Sequence, residues 1–310
     1  MNRQFLKGLM GACLMVVMFS CSQQNKVIIN DAAVVHENQD QLTQIIIYDV
    51  FTPPVASRIY VYSSLASYEA IRHAKPGSPS IAAKLHGFAP MPEPEKGKSY
   101  NYTLAATRAF FTVVHKVVFS LDSLKTYEAN TYAQFKASMD QDTYDRSIAF
   151  GDSIGNVVVA RAKTDGYPQS RGKQKYLGSN EPGKWRPTPP DYLDGVEWCW
   201  NTMKPMVMDS AAQFKPIPPP TYSPDSKSEF YKYANEVYAV NKTLTDSLKI
   251  IAKFWDDNPF VIEHSGHMMF GNKKITPGGH WMGIAAIAAK ESKADAVKVA
   301  MTYSLTSIAL

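Results

Sequence analysis

Apolar residues recur at three- and four-residue intervals along most of the chain, which is the periodicity of amphipathic α-helices. Strict alternation of apolar and polar residues, as in half-buried strands, is rare. The pattern therefore predicts an all-α fold, a multi-helix bundle. The predicted helices cover residues 39–51, 55–73, 102–119, 122–139, 143–164, a segment from 226, 243–256, 279–290 and a last segment from 292.

Two of these helices carry patterns that predict how they pack. Residues 102–119 are apolar almost all round, so this helix is expected in the centre of the core. In residues 143–164, Gly151 and Gly155 lie on the same face as Ile148 and Val158. Small residues on one face allow a neighbouring helix to approach closely, at some cost in helix propensity.

A long segment between residues 166 and 224 has no helical periodicity. It is rich in proline and contains Trp185, Trp198 and Trp200. Long loops without secondary structure are uncommon inside compact domains and are often functional. We expect this Pro/Trp-rich loop insert to cover the helices and shape the mouth of a cavity.

The last segment predicts a helix that the chain does not close. Ser292 is the expected N-cap, and one face carries Val297, Ala300, Met301, Leu305 and Ile308. No Gly, Asn, Pro or basic last turn ends the pattern. We therefore expect a C-terminally truncated chain, with an exposed apolar face on this helix that favours association into an oligomer.

The N-terminus has the pattern of an export signal. Arg3 and Lys7 precede a short apolar stretch, and Met18-Phe19-Ser20-Cys21 resembles a bacterial lipobox. The resemblance implies a lipoprotein signal peptide over residues 1–20, acylation of Cys21, and a secreted protein attached to the membranes of the cell envelope by its lipid. Ordinary cleavage after Ser20, with a free thiol, is the alternative. Residues 21–38 are then a tether, and residues 39–310 the helical part.

Composition narrows the functional classes. The 310 residues are 45% hydrophobic and 12% aromatic, which is typical of a globular protein. Removal of the signal lowers the net charge from +5 to +3 because it removes Arg3 and Lys7, and this near-neutral balance excludes a nucleic-acid-binding stripe. Cys199 is the one cysteine left after Cys13 and Cys21, so no internal disulfide is expected.

Four short segments carry candidate chemistry, and each also has a structural interpretation. Residues 263–267 (EHSGH) are either a metal or phosphate-handling motif or a polar loop. His280 follows two glycines and opens a helix, where it could contact an anion or simply pack. Arg186 could bind an anion or belong to a rigid loop. Asp256 and Asp257 end a helix, where carboxylates are unfavourable unless a cation lies nearby.

The order of several landmarks resembles one family. They are residues 53–60 (PPVASRIY), 68–70 (YEA), 182–190 (PGKWRPTPP), 254–257 (FWDD) and 277–281 (PGGHW). Together they resemble the N-terminal helical part of bacterial vanadium-dependent haloperoxidases, in the type 2 phosphatidic acid phosphatase superfamily. The resemblance extends from about residue 39 to Leu310. It implies an all-α fold, vanadate as cofactor of the full-length form, and Asp256 or Asp257 as acidic residues behind the oxyanion-binding cations.

The family's oxyanion-binding motifs are not found in the expected form. Arg186-Pro187 lacks the lysine of the first motif, because Ser179 occupies its position, and residues 265–267 (SGH) come before any acceptable first motif. We therefore carry over no catalytic residue and expect no cofactor bound by this chain alone. Three hypotheses remain: an inactive piece of a haloperoxidase acting on a small-molecule substrate, an acid phosphatase of the same superfamily, or a non-catalytic ligand-binding surface lipoprotein.

Overall fold

The protein is a helical bundle with one small β-hairpin among the described residues. The computed structural model describes residues 28–189, 191–259 and 261–310. The helices are α1 (Asp31–Tyr48), α2 (Pro53–Ile71), α3 (Tyr102–Val117), α4 (Asp122–Ser138), α5 (Gln141–Lys163), α6 (Tyr167–Arg171), α7 (Glu229–Lys242), α8 (Asp246–Phe254), α9 (Pro277–Glu291) and α10 (Ala296–Ala309). The strands are β1 (Val261–Ser265) and β2 (Met268–Asn272). The all-α prediction is confirmed, and none of the described helices has the length and apolar content needed to span a bilayer.

Helix α2 is the axis of the bundle. Pro53 and Pro54 occupy its first positions, where their fixed φ suits a helix and their missing N–H groups are not needed. It is buried on all sides, with Tyr60, Tyr62 and Tyr68 among the largest fully buried side chains. Helices α1, α3, α5, α9 and α10 surround it. Helix α3 is also central, as its apolar pattern predicts.

The two glycines of α5 allow it to pack closely on α3. A Cβ atom at Gly151 would lie 2.4 Å from the Ala105 carbonyl oxygen, and one at Gly155 would lie 2.7 Å from Thr112 Cβ. Such distances leave no room for a side chain. The close approach predicted from the glycine spacing is therefore confirmed.

The tether predicted for residues 21–38 is wrong in its second half. Helix α1 begins at Asp31, and Asn30 caps it by accepting a hydrogen bond from the Ala33 N–H at 3.1 Å. The prediction failed because Asn38 and Gln39 interrupt the apolar periodicity. Asn38 can be buried because its amide group donates a hydrogen bond to Thr107 Oγ1 at 3.1 Å. The signal peptide and Cys21 lie outside the described residues.

The last helix differs from its prediction in two ways. Its N-cap is Asp295, whose carboxylate accepts from the Lys298 N–H at 2.8 Å, so Ser292 is not the cap. Its buried face includes Val297, Ala300 and Tyr303, and it packs mainly on α2. The expected exposed apolar face is thus largely covered, although Leu305 remains half exposed.

Helices α7 and α8, in contrast, are largely exposed. Ser228 caps α7 by accepting from the Tyr231 N–H at 3.1 Å, so this helix begins at Glu229, three residues after the predicted start at residue 226. All residues of both helices are described, and none is buried. Apolar side chains on α8, such as Ile251 at 54% exposure, have little packing against the rest of the described chain. The amphipathic pattern predicted these helices correctly but could not show whether their apolar face is covered.

Candidate functional site

Two of the candidate residues, Asp257 and His280, are brought together. Helix α8 ends at Phe254, the hairpin follows, and α9 returns the chain so that His280 faces Asp257. The distance from His280 Nδ1 to Asp257 Oδ2 is 2.8 Å, and the two side chains are 39% and 27% exposed. One partner of the acidic pair is therefore a histidine. Because a carboxylate only accepts, Nδ1 carries the proton of this hydrogen bond.

The second acid of the pair has a different partner. Asp256 Oδ2 lies 3.1 Å from Lys274 Nζ, and Asp256 Oδ1 accepts from the Asn258 N–H at 3.0 Å. The hydrogen bond from the Asn258 N–H, and then that from Lys274, lower the pKa of the Asp256 carboxyl below its usual range. Asp256 therefore connects the end of α8 to the segment before α9, whereas Asp257 is committed to the histidine.

The start of α9 is built for close packing. A Cβ atom at Gly279 would lie 2.9 Å from the Tyr60 hydroxyl, and one at Gly278 would lie 3.1 Å from Ser57 Oγ. Thr276 caps the helix by accepting from the Gly279 N–H at 3.1 Å, and its carbonyl accepts from the His280 N–H at 2.9 Å. These amides are used within the helix, so the helix terminus itself offers little to an anion. The chemistry available here lies in the His280 ring.

An Asp–His pair of this geometry has a defined chemical use. The carboxylate fixes the ring orientation and the tautomer, and it leaves Nε2 as the nitrogen available for a ligand or a proton. The first turn of α9 also lies close to Leu310, since a Cβ atom at Gly278 would be 3.6 Å from Leu310 Cδ1. Asp257 and His280 therefore form the best candidate functional site in this part of the molecule.

The other candidates lie elsewhere. Arg186 is exposed on the Pro/Trp-rich loop, and its backbone packs against Gly178, where a Cβ atom would meet Arg186 Cα at 2.6 Å. None of the described contacts joins Arg186 to His280, and its anion-binding role stays a prediction. Residues 263–267 form the end of β1 and a tight turn at Gly266, which has a φ of +60°, rather than a loop. Among the side chains that the structure describes, which leave out those of residues 262–265, no group of three or more His, Cys, Asp or Glu could hold a metal ion.

One polar cluster was missed by sequence reasoning. Arg171 makes a bidentate ion pair with Glu197, whose side chain is only 5% exposed, and Thr52 donates to the same carboxylate at 3.1 Å. The three residues are far apart in sequence. The basic residues at 171, 173 and 175 next to an aromatic loop were the one signal that could have indicated this cluster.

Comparison with known proteins places this geometry in context. No protein-family model matches the chain, and no curated protein is significantly similar to it. Among solved structures, the chain is similar to a protein described as the first bacterial vanadium-dependent iodoperoxidase. The identity is 38%, the TM-score is 0.82, and the match covers 91% of this chain and 67% of the iodoperoxidase.

This match agrees with the landmarks noted in the sequence. Identity of this level over nearly the whole chain, with the same helical architecture, is more than a shared fold. The ordered segments from residue 53 to residue 281 and the three-dimensional similarity lead to the same assignment. The chain belongs to the bacterial vanadium-dependent haloperoxidase family.

Proposed function

We propose that this chain provides the helical scaffold of a vanadium-dependent haloperoxidase that oxidises halide, with iodide as the first candidate. In this reaction hydrogen peroxide accepts two electrons from the halide, one proton is taken up, and hypohalous acid and water are formed. The observation that carries the proposal is the 38% identity to the iodoperoxidase over 91% of the chain. Vanadate, when bound, would supply the activation of peroxide.

We infer that the residues around the Asp257–His280 pair do not complete a vanadate site by themselves. Vanadate is a tetrahedral oxyanion that requires several converging cations. Four arginines are paired with carboxylates instead: Arg58 with Asp165, Arg72 with Glu69, Arg108 with Asp152, and Arg171 with Glu197. The two lysines just before α9 are also engaged, because Lys274 pairs with Asp256 and Lys273 donates to the Tyr48 carbonyl at 2.7 Å.

We therefore propose that the cations come from further residues that complete the site, and that the 310 residues alone do not turn over. The match leaves a third of the iodoperoxidase without a counterpart in this chain, which is consistent with that proposal. In the complete enzyme, Asp257 would be a positioning residue that holds the His280 ring. His280 would contact the oxyanion or its ligands through Nε2.

Export and lipid attachment complete the proposal. The lipobox-like segment 18–21 supports processing before Cys21 and attachment to the cell envelope. Metabolic labelling with palmitate should mark the wild-type protein and leave Cys21→Ser unlabelled. Labelling of Cys21→Ser to the same level would contradict the lipid anchor without affecting the enzymatic proposal.

The enzymatic proposal is tested by supplying the missing part. The chain is fused to the portion of the iodoperoxidase that it does not match, in the order that portion has in the iodoperoxidase, and vanadate-dependent formation of triiodide is measured beside the 310-residue chain. We expect activity in the fusion and none in the chain. Hydrolysis of p-nitrophenyl phosphate by the fusion, without iodide oxidation, would instead favour the acid phosphatase. A properly folded fusion with neither activity would favour the non-catalytic lipoprotein.

Asp257 gives a finer test within the active fusion. Removal of a residue that orients a ligand typically lowers affinity or activity by roughly tenfold to a hundredfold. We expect Asp257→Asn to weaken vanadate binding to this degree with little change in melting temperature. The control is Asp246→Asn, since Asp246 is an exposed acid on α8 paired with Lys249. Equal vanadate affinity in both variants would contradict the role of Asp257.

A further inference from the structure

A cavity lies under the Pro/Trp-rich loop. Its volume is about 340 Å³, which is within the range of small-molecule sites. It is formed by Thr52 at the start of α2, by the C-terminal end of α6, and by two loop segments, residues 173–175 and 193–199. This arrangement agrees with the expectation that the loop shapes a cavity mouth. Its lining includes neither Asp257 nor His280.

One wall of the cavity is fixed by the buried carboxylate of Glu197. Arg171 Nη1 donates to Glu197 Oε1 at 2.9 Å, the second guanidinium nitrogen donates to Oε2, and Thr52 Oγ1 donates at 3.1 Å. Glu197 has a φ of +48°, a left-handed conformation that costs energy for a residue with a side chain. The three hydrogen bonds hold it there. A strained residue held in this way indicates that the position of the wall matters.

Another part of the lining is aromatic and is also held in place. The Trp198 indole N–H donates to the Gln174 carbonyl at 3.1 Å, and its ring lies 6.1 Å from the Tyr176 ring. Gly195 allows the chain to pass close by, since a Cβ atom there would lie 3.3 Å from Tyr176 Cδ1. Leu193 and Val196 add apolar surface and are 50% and 54% exposed, so this wall can accept a further apolar group.

One cation in the cavity lining has no carboxylate partner among the described residues. Glu197 is neutralised by Arg171, and Asp194 is neutralised by Lys175 at 3.0 Å. Among the described residues, Lys173 has no carboxylate partner. Its ammonium lies 3.5 Å from Thr202 Oγ1 and 5.9 Å from the centre of the Trp198 ring. The cavity therefore combines an aromatic and aliphatic wall with an excess positive charge at its edge.

We propose that this cavity binds a small organic anion consisting of one ring and one carboxylate. The ring would lie against Trp198 and Leu193, where it removes apolar surface from water. The carboxylate would accept hydrogen bonds from Lys173 and from the outer edge of the Arg171 guanidinium, which is 44% exposed. This inference does not depend on the haloperoxidase proposal, because it uses neither vanadate nor His280.

The test is direct binding of three matched probes to the full 310-residue chain. Benzoate, benzyl alcohol and benzylamine share the ring and differ in charge. Titration calorimetry and saturation-transfer NMR at low salt should show benzoate binding in the millimolar range or tighter, with benzyl alcohol weaker and benzylamine weakest. Raising the salt concentration should weaken benzoate binding and leave benzyl alcohol nearly unchanged.

Two variants and one control assign the binding to the cavity. Lys173→Gln should weaken benzoate binding by roughly threefold to tenfold and leave benzyl alcohol unaffected, as expected for an ion pair at the edge of a site. Trp198→Ala should weaken both ligands. Lys184→Gln, which changes an exposed lysine of the same loop outside the cavity lining, should have no effect.

Several results would overturn the proposal. They are the absence of benzoate binding at millimolar concentration, equal binding of the three probes, and identical benzoate affinity in Lys173→Gln and wild type. Far-UV circular dichroism of each variant establishes that it is folded. If Trp198→Ala does not fold, Lys173→Gln and the probe series still decide the question.

Discussion

Removal of the Asp165 carboxylate should destabilise this protein more than loss of any ordinary surface ion pair. Asp165 lies just after α5 and its side chain is 2% exposed. It accepts from Arg58 Nε at 2.7 Å, from the Tyr62 hydroxyl at 3.0 Å and from the Tyr167 N–H at 2.8 Å. These bonds join α2, the end of α5 and the start of α6.

The size of the effect follows from what the substitution leaves behind. Arg58 is 9% exposed in its side chain, and its remaining donor contact is Nη2 to the Ala162 carbonyl at 2.7 Å. Without Asp165 its charge stays buried with no counter-charge. Breaking a buried ion pair on one side costs about 3–5 kcal/mol. The rings of Tyr62 and Tyr167, whose centres lie 5.2 and 4.3 Å from the guanidinium, offset a small part of this cost.

The assay is equilibrium unfolding in urea of Asp165→Ala and of a matched control, Asp152→Ala. Asp152 pairs with Arg108 at 2.7 Å, but these side chains are 34% and 32% exposed, so its loss should cost at most about 1 kcal/mol. Adding Arg58→Met to Asp165→Ala should restore part of the stability, because it removes the unpaired charge. Equal free energies of unfolding for Asp165→Ala and Asp152→Ala would refute this reasoning.

Two further predictions concern packing and pH. Gly151→Ala should destabilise the protein by about 1–3 kcal/mol in urea unfolding, because α3 leaves no space, whereas Gly283→Ala, with nothing within 4 Å, should stabilise it by about 0.5–1 kcal/mol. A gain in stability for Gly151→Ala would contradict the close α3–α5 contact. Burial, and secondarily the charge of Lys290, lower the pKa of His36. Folding therefore weakens proton binding to His36. The stability that neutral His36 contributes is fully present above the unfolded pKa of about 6.5. As the pH falls below that value, the free energy of unfolding decreases by at most about 1.4 kcal/mol per pH unit. His36→Gln should flatten the pH dependence of the free energy of unfolding between pH 7 and pH 5, and an unchanged slope would contradict this assignment.

The sequence predicted helices correctly where the buried residues are apolar and recur at the helical period. The glycines of α5 and the apolar surface of α3 indicated their contact because a helix–helix interface repeats at the helical period. Prediction failed at α1 because buried polar groups break that period. His36 Nδ1 lies 2.6 Å from the Tyr303 hydroxyl, a contact between residues 267 positions apart that no local pattern encodes.

The candidate site was only partly predictable for the same reason. Two acids at a helix end indicated a nearby cation, and the structure provides Lys274 beside Asp256, with His280 as the hydrogen-bond partner of Asp257. The partner of each acid depends on how the hairpin and α9 return the chain, which is a tertiary property. The lining of the cavity around Glu197 and Lys173 could not be predicted from the sequence, because it comes from the start of α2, from α6 and from a loop without periodicity.

We propose that these 310 residues form the scaffold of a haloperoxidase and that further residues complete its oxyanion site. Equilibrium binding of vanadate to the 310-residue chain, followed by ⁵¹V NMR, tests it most directly. Our account predicts no saturable binding to the chain and saturable binding after fusion to the unmatched part of the iodoperoxidase. Tight vanadate binding to the 310-residue chain, abolished by His280→Ala, would contradict it.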